Sequence, residues 1–545
     1  MQLKSRGISI ALLTSLCWGL SGCGDTSSTN FVVTGSEPQP VLVRTLDGTT
    51  NHLDDSGVAH SQFLRGTPEA YADGVGSPAG TGRKSAREVS NLVSSQVGQM
   101  PDSDGRSDFV WSWGQFIDHD ITLTKSGDES LPIEVPAGDV FFDPTNTGSR
   151  LISFTRSQAA PGTGTDTTNK RQQINEITAF IDGSMVYGSD EVRGSALRTF
   201  QGGMLALSTK GMPPFNLDSL DVDNALHADP TTLFLCGDTR ANEHLALTSL
   251  HAVFVREHNH WAEYFAQLHP TWTDEQLYQM ARKVVGAEIQ VITYQEFLPA
   301  LLGPNPLPDY TGFNEAVDPG IDILFATAGY RLGHTMVGTE FLRLQADGTP
   351  IPEGNIQVRN GFFRPDLLMS EGGIEPVLRG LAANRMQSID PQIVDDLRNF
   401  LFGPPGAGGF DLASFNIQRG RDHGLADYNT IRTFFGQSRV TSFAEITTDA
   451  TRQANLAAAY SSVDEIDAWV GLLSEDPITG TAIGPTLRAI LIDQFKRLRD
   501  GDRFFYLNDT ALTVLMPEIQ GTTLSKVIAR NTGANLQDNV FFAAP

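Results

Sequence analysis

The sequence predicts a mainly α-helical chain built as one large domain with long irregular loops. Its helical patterns are strong, its strand patterns are short and sparse, and its chemistry-bearing residues are scattered. Leu250, Val253, Phe254, Trp261 and Phe265 recur at three- and four-residue steps, the mark of a helix with one buried stripe. Thr273 with Gln276 makes a capping box ahead of Leu277, Met280, Ala281, Val284 and Val285. Turn-forming residues place loops at Pro161–Thr168 and Gly403–Gly409. A chain of 545 residues would ordinarily hold about three or four domains. The candidate site residues, however, run from Trp113 to Arg432, and pieces of one site spread so widely belong to a single domain. No internal repeat and no second low-complexity linker divides the chain.

The formal net charge is −25 and no Lys/Arg cluster interrupts the acidity, which excludes the basic footprint of a nucleic-acid binder. Small anions would meet repulsion except where a local basic pocket focuses them. The three cysteines, Cys17, Cys23 and Cys236, exclude a disulfide framework and a multi-cysteine metal site.

Residues 1–22 have the parts of an export signal. Lys4 and Arg6 precede a mostly apolar run from Ile8 to Leu20 that is too short to span a membrane. The run ends in Leu20-Ser21-Gly22-Cys23, which resembles a bacterial lipobox, so Cys23 is the expected lipidation site. An exported, lipid-anchored chain at the cell envelope is implied, with the membrane reached only through the anchor. Residues 23–42 are Ser/Thr/Gly/Pro-rich and read as a flexible tether, leaving 43–545 as the folded domain.

Five stretches carry the candidate chemistry. Read as a helix, Trp113-Gly114-Gln115-Phe116-Ile117-Asp118-His119-Asp120 puts Gln115, Asp118 and His119 on one face. Alone, Asp118-His119-Asp120 reads more readily as a solvated helix face or a metal site. Gly237-Asp238-Thr239-Arg240-Ala241-Asn242-Glu243 leads into the helix through Arg256-Glu257-His258-Asn259; alone, Arg240 and Glu243 fit an exposed ion pair of small worth. In Tyr330-Arg331-Leu332-Gly333-His334-Thr335, Arg331 stands one turn before His334. Asn416-Ile417-Gln418-Arg419-Gly420-Arg421-Asp422-His423-Gly424-Leu425 leads on to Asn429 and Arg432, three apart. Within Ile177–Ser189, Thr178, Asp182 and Ser184 offer side-chain oxygens at alternate positions and Phe180 its carbonyl. Hard oxygen donors of this kind suit calcium, although the spacing alone fits the wet face of a surface strand.

Taken in order, these stretches closely resemble the motifs of the animal-type haem peroxidase family, within the peroxidase–cyclooxygenase superfamily. The likeness runs from about Val43 to near the C-terminus and includes Tyr71-Ala72-Asp73-Gly74 and Ser85-Ala86-Arg87-Glu88-Val89-Ser90-Asn91. It implies a helical domain around a buried haem b, with hydrogen peroxide as oxidant and small anionic or phenolic donors. By this resemblance His119 is the distal base, a role suited to imidazole at neutral pH. Gln115 would orient water or halide above the iron, and Arg240 would stabilise charge on the departing oxygen. Asp118 and Glu243 match the carboxylates that form haem esters in mammalian members. His334 matches the proximal iron ligand, and Arg331 a haem propionate partner. Asn429 would accept the proximal imidazole N–H, Arg432 would give a second propionate contact, and His423 would be structural. Asp120 joins Thr178, Phe180, Asp182 and Ser184 as a calcium ligand.

Two rivals share parts of this pattern. Fatty-acid dioxygenases and cyclooxygenases of the same fold form a radical on a tyrosine three residues before the proximal histidine; here that position is Arg331, and Tyr330 is four before. A non-catalytic haem or adhesion lipoprotein would have no need to keep His119, Arg240 and His334 together. Myeloperoxidase-like members carry, directly after the glutamate of the Arg-x-x-Glu element, a methionine whose link to haem makes the iron more oxidising. His244 occupies that position and cannot form the link. The expected donors are therefore iodide, thiocyanate, bromide and phenols, with chloride turnover weak.

Overall fold

The helices are long where the apolar period is long, and they carry the site. A computed structural model describes residues 42–544; the signal-like segment, Cys23 and most of the tether lie outside the described residues. From Val43 the chain is one compact unit. Strands among the described residues form only four two-stranded antiparallel sheets, the longest pairing Ser126–Ser130 with Thr155–Ser157. No described helix is long and apolar enough to cross a membrane.

Helix α1 (Phe109–Ile121) is apolar almost all round, and it is buried almost all round. Trp113 anchors it, lying 5.6 Å from Phe116 and 5.6 Å from Phe254 and donating its indole N–H to Thr293 Oγ1 at 3.2 Å. Phe254 belongs to α2 (Leu245–Leu268), in which the periodic residues Leu250, Val253, Phe254, Trp261 and Phe265 are all buried. Helix α3 (Asp274–Ile292) packs along α2 and begins at the capping box of Thr273 and Gln276. Trp261 ties the two together by donating to Glu288 Oε2 at 3.2 Å.

Helix α4 (Gly333–Met336) is short and follows a wide π turn at Phe325–Gly329 and a tight 3₁₀ turn at Tyr330–Leu332. A second π turn, Thr293–Phe297, continues α3. Such turns re-aim side chains that a regular helix would point elsewhere. Here Phe297, Ala326 and Thr327 all reach one internal cavity. Helices α5 (Leu412–Asp422) and α6 (Tyr428–Phe434) complete the set. Fully buried Arg87 binds Asp139 at 2.7 Å and Asp411 at 2.7 Å; Asp411 caps α5, so the ion network fixes where α5 starts. Removing one partner of such a network would strand a buried charge. Cys236 is buried and unpaired, and burial pushes its thiol upward, so it stays protonated.

Candidate active site

A cavity of about 290 Å³ lies between α1, α4 and the segment that precedes α2. Gln115, Asp118 and His119 all line it, as their spacing on α1 requires. Arg240, Glu243, Arg331 and His334 line it too, with Tyr330, Thr327 and Phe297. An adjoining chamber of about 570 Å³ shares Gln115, Glu243, Arg331 and His334 and is walled by Trp111, Phe341, Phe362 and Phe402. Residues more than two hundred positions apart thus meet in one space.

His119 is buried, and burial with the Arg240 charge beside it holds its pKa well below the usual value. The imidazole is therefore neutral near pH 7 and able to accept a proton. Its Nδ1 lies 3.4 Å from Asp238 Oδ1. Asp238 also grips Arg240 with both oxygens, Nε to Oδ1 at 2.9 Å and Nη2 to Oδ2 at 2.8 Å. A third bond, from Arg240 Nη2 to the Thr122 carbonyl at 2.8 Å, ties the guanidinium to the end of α1. The buried carboxylate therefore anchors the guanidinium and fixes its plane, while it lies beside the imidazole without a hydrogen bond to it. Sequence reasoning passed over Asp238, although an acid two residues before a functional arginine was visible.

Arg240 and Glu243 do not pair as a helical ion pair, because α2 starts only at Leu245. Arg240 faces Asp238 and, at 3.5 Å, Asp118; Glu243 instead accepts a hydrogen bond from Gln115 Nε2 at 3.0 Å. Burial raises the carboxyl of Asp118 and pushes that of Glu243 up to about 7. Both carboxyls line the cavity wall.

Around His334 the structure corrects two expectations. Its Nδ1 lies 3.1 Å from Oδ1 and 3.0 Å from Nδ2 of Asn416 on α5, so Asn416 is the residue behind the imidazole. Asn429 is turned away: its amide donates to the Val440 carbonyl at 2.9 Å and to Asp464 at 2.6 Å, and its Oδ1 accepts from Val440 N at 2.9 Å. It pins the loop after α6. Arg432 is likewise no cavity residue; it pairs with Glu475, within reach of Thr486 at 3.2 Å and the Tyr428 hydroxyl at 3.1 Å. Asn416 was already part of the recognisable stretch, but nothing in its spacing singled it out. His423 reaches the cavity, yet both ring nitrogens are engaged, with Thr327 Oγ1 and Ser157 Oγ at 2.7 Å each. Its role is structural.

Arg331 tests whether the cavity suits a haem. It is half-buried in the wall, and its contacts are the Ala326 carbonyl at 3.2 Å and Asn416 Oδ1 at 3.4 Å, with no ion pair among the described residues. Burial and the neighbouring Arg419 lower its pKa to about 10. A half-buried guanidinium without a carboxylate partner is free to pair with an anionic group in the cavity. A haem propionate supplies one. His334, with Nδ1 facing Asn416, keeps Nε2 for a metal. The residues fit the group.

The alternate-residue loop packs against the end of α1. Ser184 Oγ donates to Asp120 Oδ1 at 2.8 Å, and Gly183 N to Asp120 Oδ2 at 3.1 Å. Thr178 Oγ1 donates to Asp182 Oδ2 at 3.2 Å, and Phe180 is buried in the same loop. Burial raises both acids, and the Asp182 charge beside it raises Asp120 further. No group of three or more His, Cys, Asp or Glu side chains converges on one point among the described residues. A cation here would rest on these two carboxylates plus hydroxyl and carbonyl oxygens, which suits a hard ion.

Comparison with known proteins agrees with this geometry. The animal haem peroxidase family model matches residues 43–541. The chain is 36% identical over 527 residues to peroxinectin A of Dictyostelium discoideum, covering 94% of this chain and 97% of that protein. It is 33% identical to the thyroid peroxidase of Rattus norvegicus, covering 98% of this chain but 64% of that protein. Among solved structures, peroxidase A from Dictyostelium discoideum superposes with a TM-score of 0.87 at 35% identity, covering 92% of this chain and 99% of that one. The fatty acid α-dioxygenase of Oryza sativa superposes with a TM-score of 0.76 at 22% identity, covering 92% of this chain and 87% of that one, a likeness of fold alone. The chain belongs to the animal haem peroxidase family. It is a haem-dependent peroxidase.

Proposed function

We propose that the chain reduces hydrogen peroxide at a haem b held by His334 and oxidises iodide, thiocyanate, bromide and phenols. The observation that carries this reading is the convergence of His119, Arg240 and His334 on one cavity, with Asp238 gripping Arg240 3.4 Å from His119 Nδ1. Bound haem supplies the iron at which peroxide gains two electrons. His119, neutral at working pH, takes a proton from the incoming peroxide and returns it to the departing oxygen. Arg240, held flat by Asp238, stabilises the negative charge that builds on that oxygen. His334 holds the metal, Asn416 accepts its Nδ1–H, and that hydrogen bond strengthens the imidazole as a donor. Arg331 neutralises a propionate. Asp118 and Glu243 would supply the carboxyls for haem esters. Arg331 in place of a tyrosine three residues before His334 disfavours fatty-acid dioxygenation.

A donor screen tests the substrate reading. With His244 where a methionine would be needed, peroxide-dependent oxidation of iodide and thiocyanate should be efficient and that of chloride weak. Rates for each anion and a phenol, measured from acid to neutral pH, check this. Efficient chlorination at neutral pH would overturn the argument from His244.

Calcium at Asp120, Thr178, Phe180, Asp182 and Ser184 is read as structural, tying the loop to α1 one residue beyond His119. Asp182→Ala or prolonged chelation should lower unfolding stability by about 3 kcal/mol, as for a ligand held at some hundreds of times its Kd. Calorimetry with metal analysis checks it; fully active, calcium-free protein of unchanged stability would exclude the site. Lipidation at Cys23 and anchoring to the cell envelope complete the proposal.

A further inference from the structure

We propose that His244 is a positioning residue that fixes which end of the Gln115 amide faces the cavity, and thereby favours anionic donors. The inference rests on reading the cavity as a peroxidase site. It begins at the start of α2, where His244 is the cap: its Nδ1 accepts the Leu247 N–H at 3.2 Å. A ring nitrogen that accepts a hydrogen bond carries no proton, so the neutral imidazole keeps its proton on Nε2. Burial supports the neutral form. The ring cannot turn away easily, since it lies edge-on to Trp111 at 5.4 Å and stacks on Phe341 at 5.6 Å.

The Nε2–H of His244 meets Gln115 Oε1 at 2.7 Å. An N–H must face an acceptor, so the oxygen end of the amide is the end turned to His244. The other end agrees: Gln115 Nε2 lies 3.0 Å from Glu243 Oε2, which accepts. Donation therefore runs one way, from the α2 backbone through His244 and Gln115 to Glu243. With its oxygen occupied and one N–H used, the amide has one N–H left to offer. Gln115 lines the same cavity as His119 and Arg240. What it can present there is a donor, which suits a small anion. Without His244 the amide could reverse and present its oxygen, which repels an anion.

The separating variant is His244→Asn. Asparagine caps helices well but is too short to reach Gln115, so the cap survives and the tether is lost. Thiocyanate binding to the resting holoenzyme, followed by absorption titration, should weaken about tenfold, the size of one hydrogen bond to a charged group. Iodide kcat/KM should fall by a similar factor, while oxidation of a neutral phenol should change little. His244→Gln, whose longer amide can offer Gln115 an N–H, should recover part of the thiocyanate affinity. Gln115→Leu should lose the same factor, and the double variant His244→Asn/Gln115→Leu should lose no more, because the two act as one unit. Unchanged thiocyanate affinity in His244→Asn, equal losses for anion and phenol, or additive losses in the double variant would overturn the proposal. A wild-type holoenzyme without peroxide-dependent turnover would overturn the peroxidase reading, and this inference with it.

Discussion

His334→Ala should abolish most haem binding. The substitution removes the cavity's axial imidazole and leaves the Asn416 amide facing a gap, so purified protein should lose most of its Soret absorbance per chain. Arg331 would still attract a propionate, but an ion pair alone does not hold the metal. Two further variants locate the supporting residue. Asn416→Ala should keep haem yet shift the ferric spectrum, because the imidazole loses the acceptor that strengthens it. Asn429→Ala should leave the spectrum unchanged and cost only stability, about 1–3 kcal/mol for the orphaned Val440 amide and carbonyl. A His334→Ala protein with wild-type spectrum and turnover would remove His334 from the site. A spectral change in Asn429→Ala and none in Asn416→Ala would reverse the structural assignment.

His119→Ala should bind haem normally and react with peroxide roughly 10²-fold more slowly or worse, since general acid–base assistance contributes on that scale. Arg240→Ala should cost a comparable factor through lost charge stabilisation. Because the proton shuttle and the charge stabilisation serve the same bond cleavage, the two losses should not multiply: the double variant should be less impaired than the product of the single effects. Stopped-flow mixing with peroxide, with the Soret band as internal control for haem content, measures all three. A His119→Ala variant that reacts at the wild-type rate would contradict the assignment.

Local rules made much of this molecule legible. The apolar steps at Leu250, Val253, Phe254, Trp261 and Phe265 do mark one buried helix, and the Thr273/Gln276 box does start the next. Gln115, Asp118 and His119 share a face because a helix repeats every 3.6 residues, a property of the backbone that needs no partner. The motifs in order identified the family. Local spacing was less informative at Arg240 and Glu243: the helix begins only at Leu245, and the turn at Gly237–Glu243 sends the two side chains to different partners.

What the sequence alone determined is which residues carry the chemistry and which of them share a helix face. Tertiary structure decided which of these residues meet. Asn429 and Arg432 sit three apart on α6 as convincingly as Arg331 and His334 do before and within α4, yet α6 turns toward Val440 and Glu475, while α5 brings Asn416 to the imidazole. Spacing within one helix cannot reveal which neighbouring helix lies opposite it. That depends on packing contacts between segments up to hundreds of residues apart, and the same packing placed Asp238 between His119 and Arg240 and gave His244 its hold on Gln115. A hydrogen bond needs its two atoms within about 3 Å, a tolerance set by the packed core and not by the order of residues along the chain.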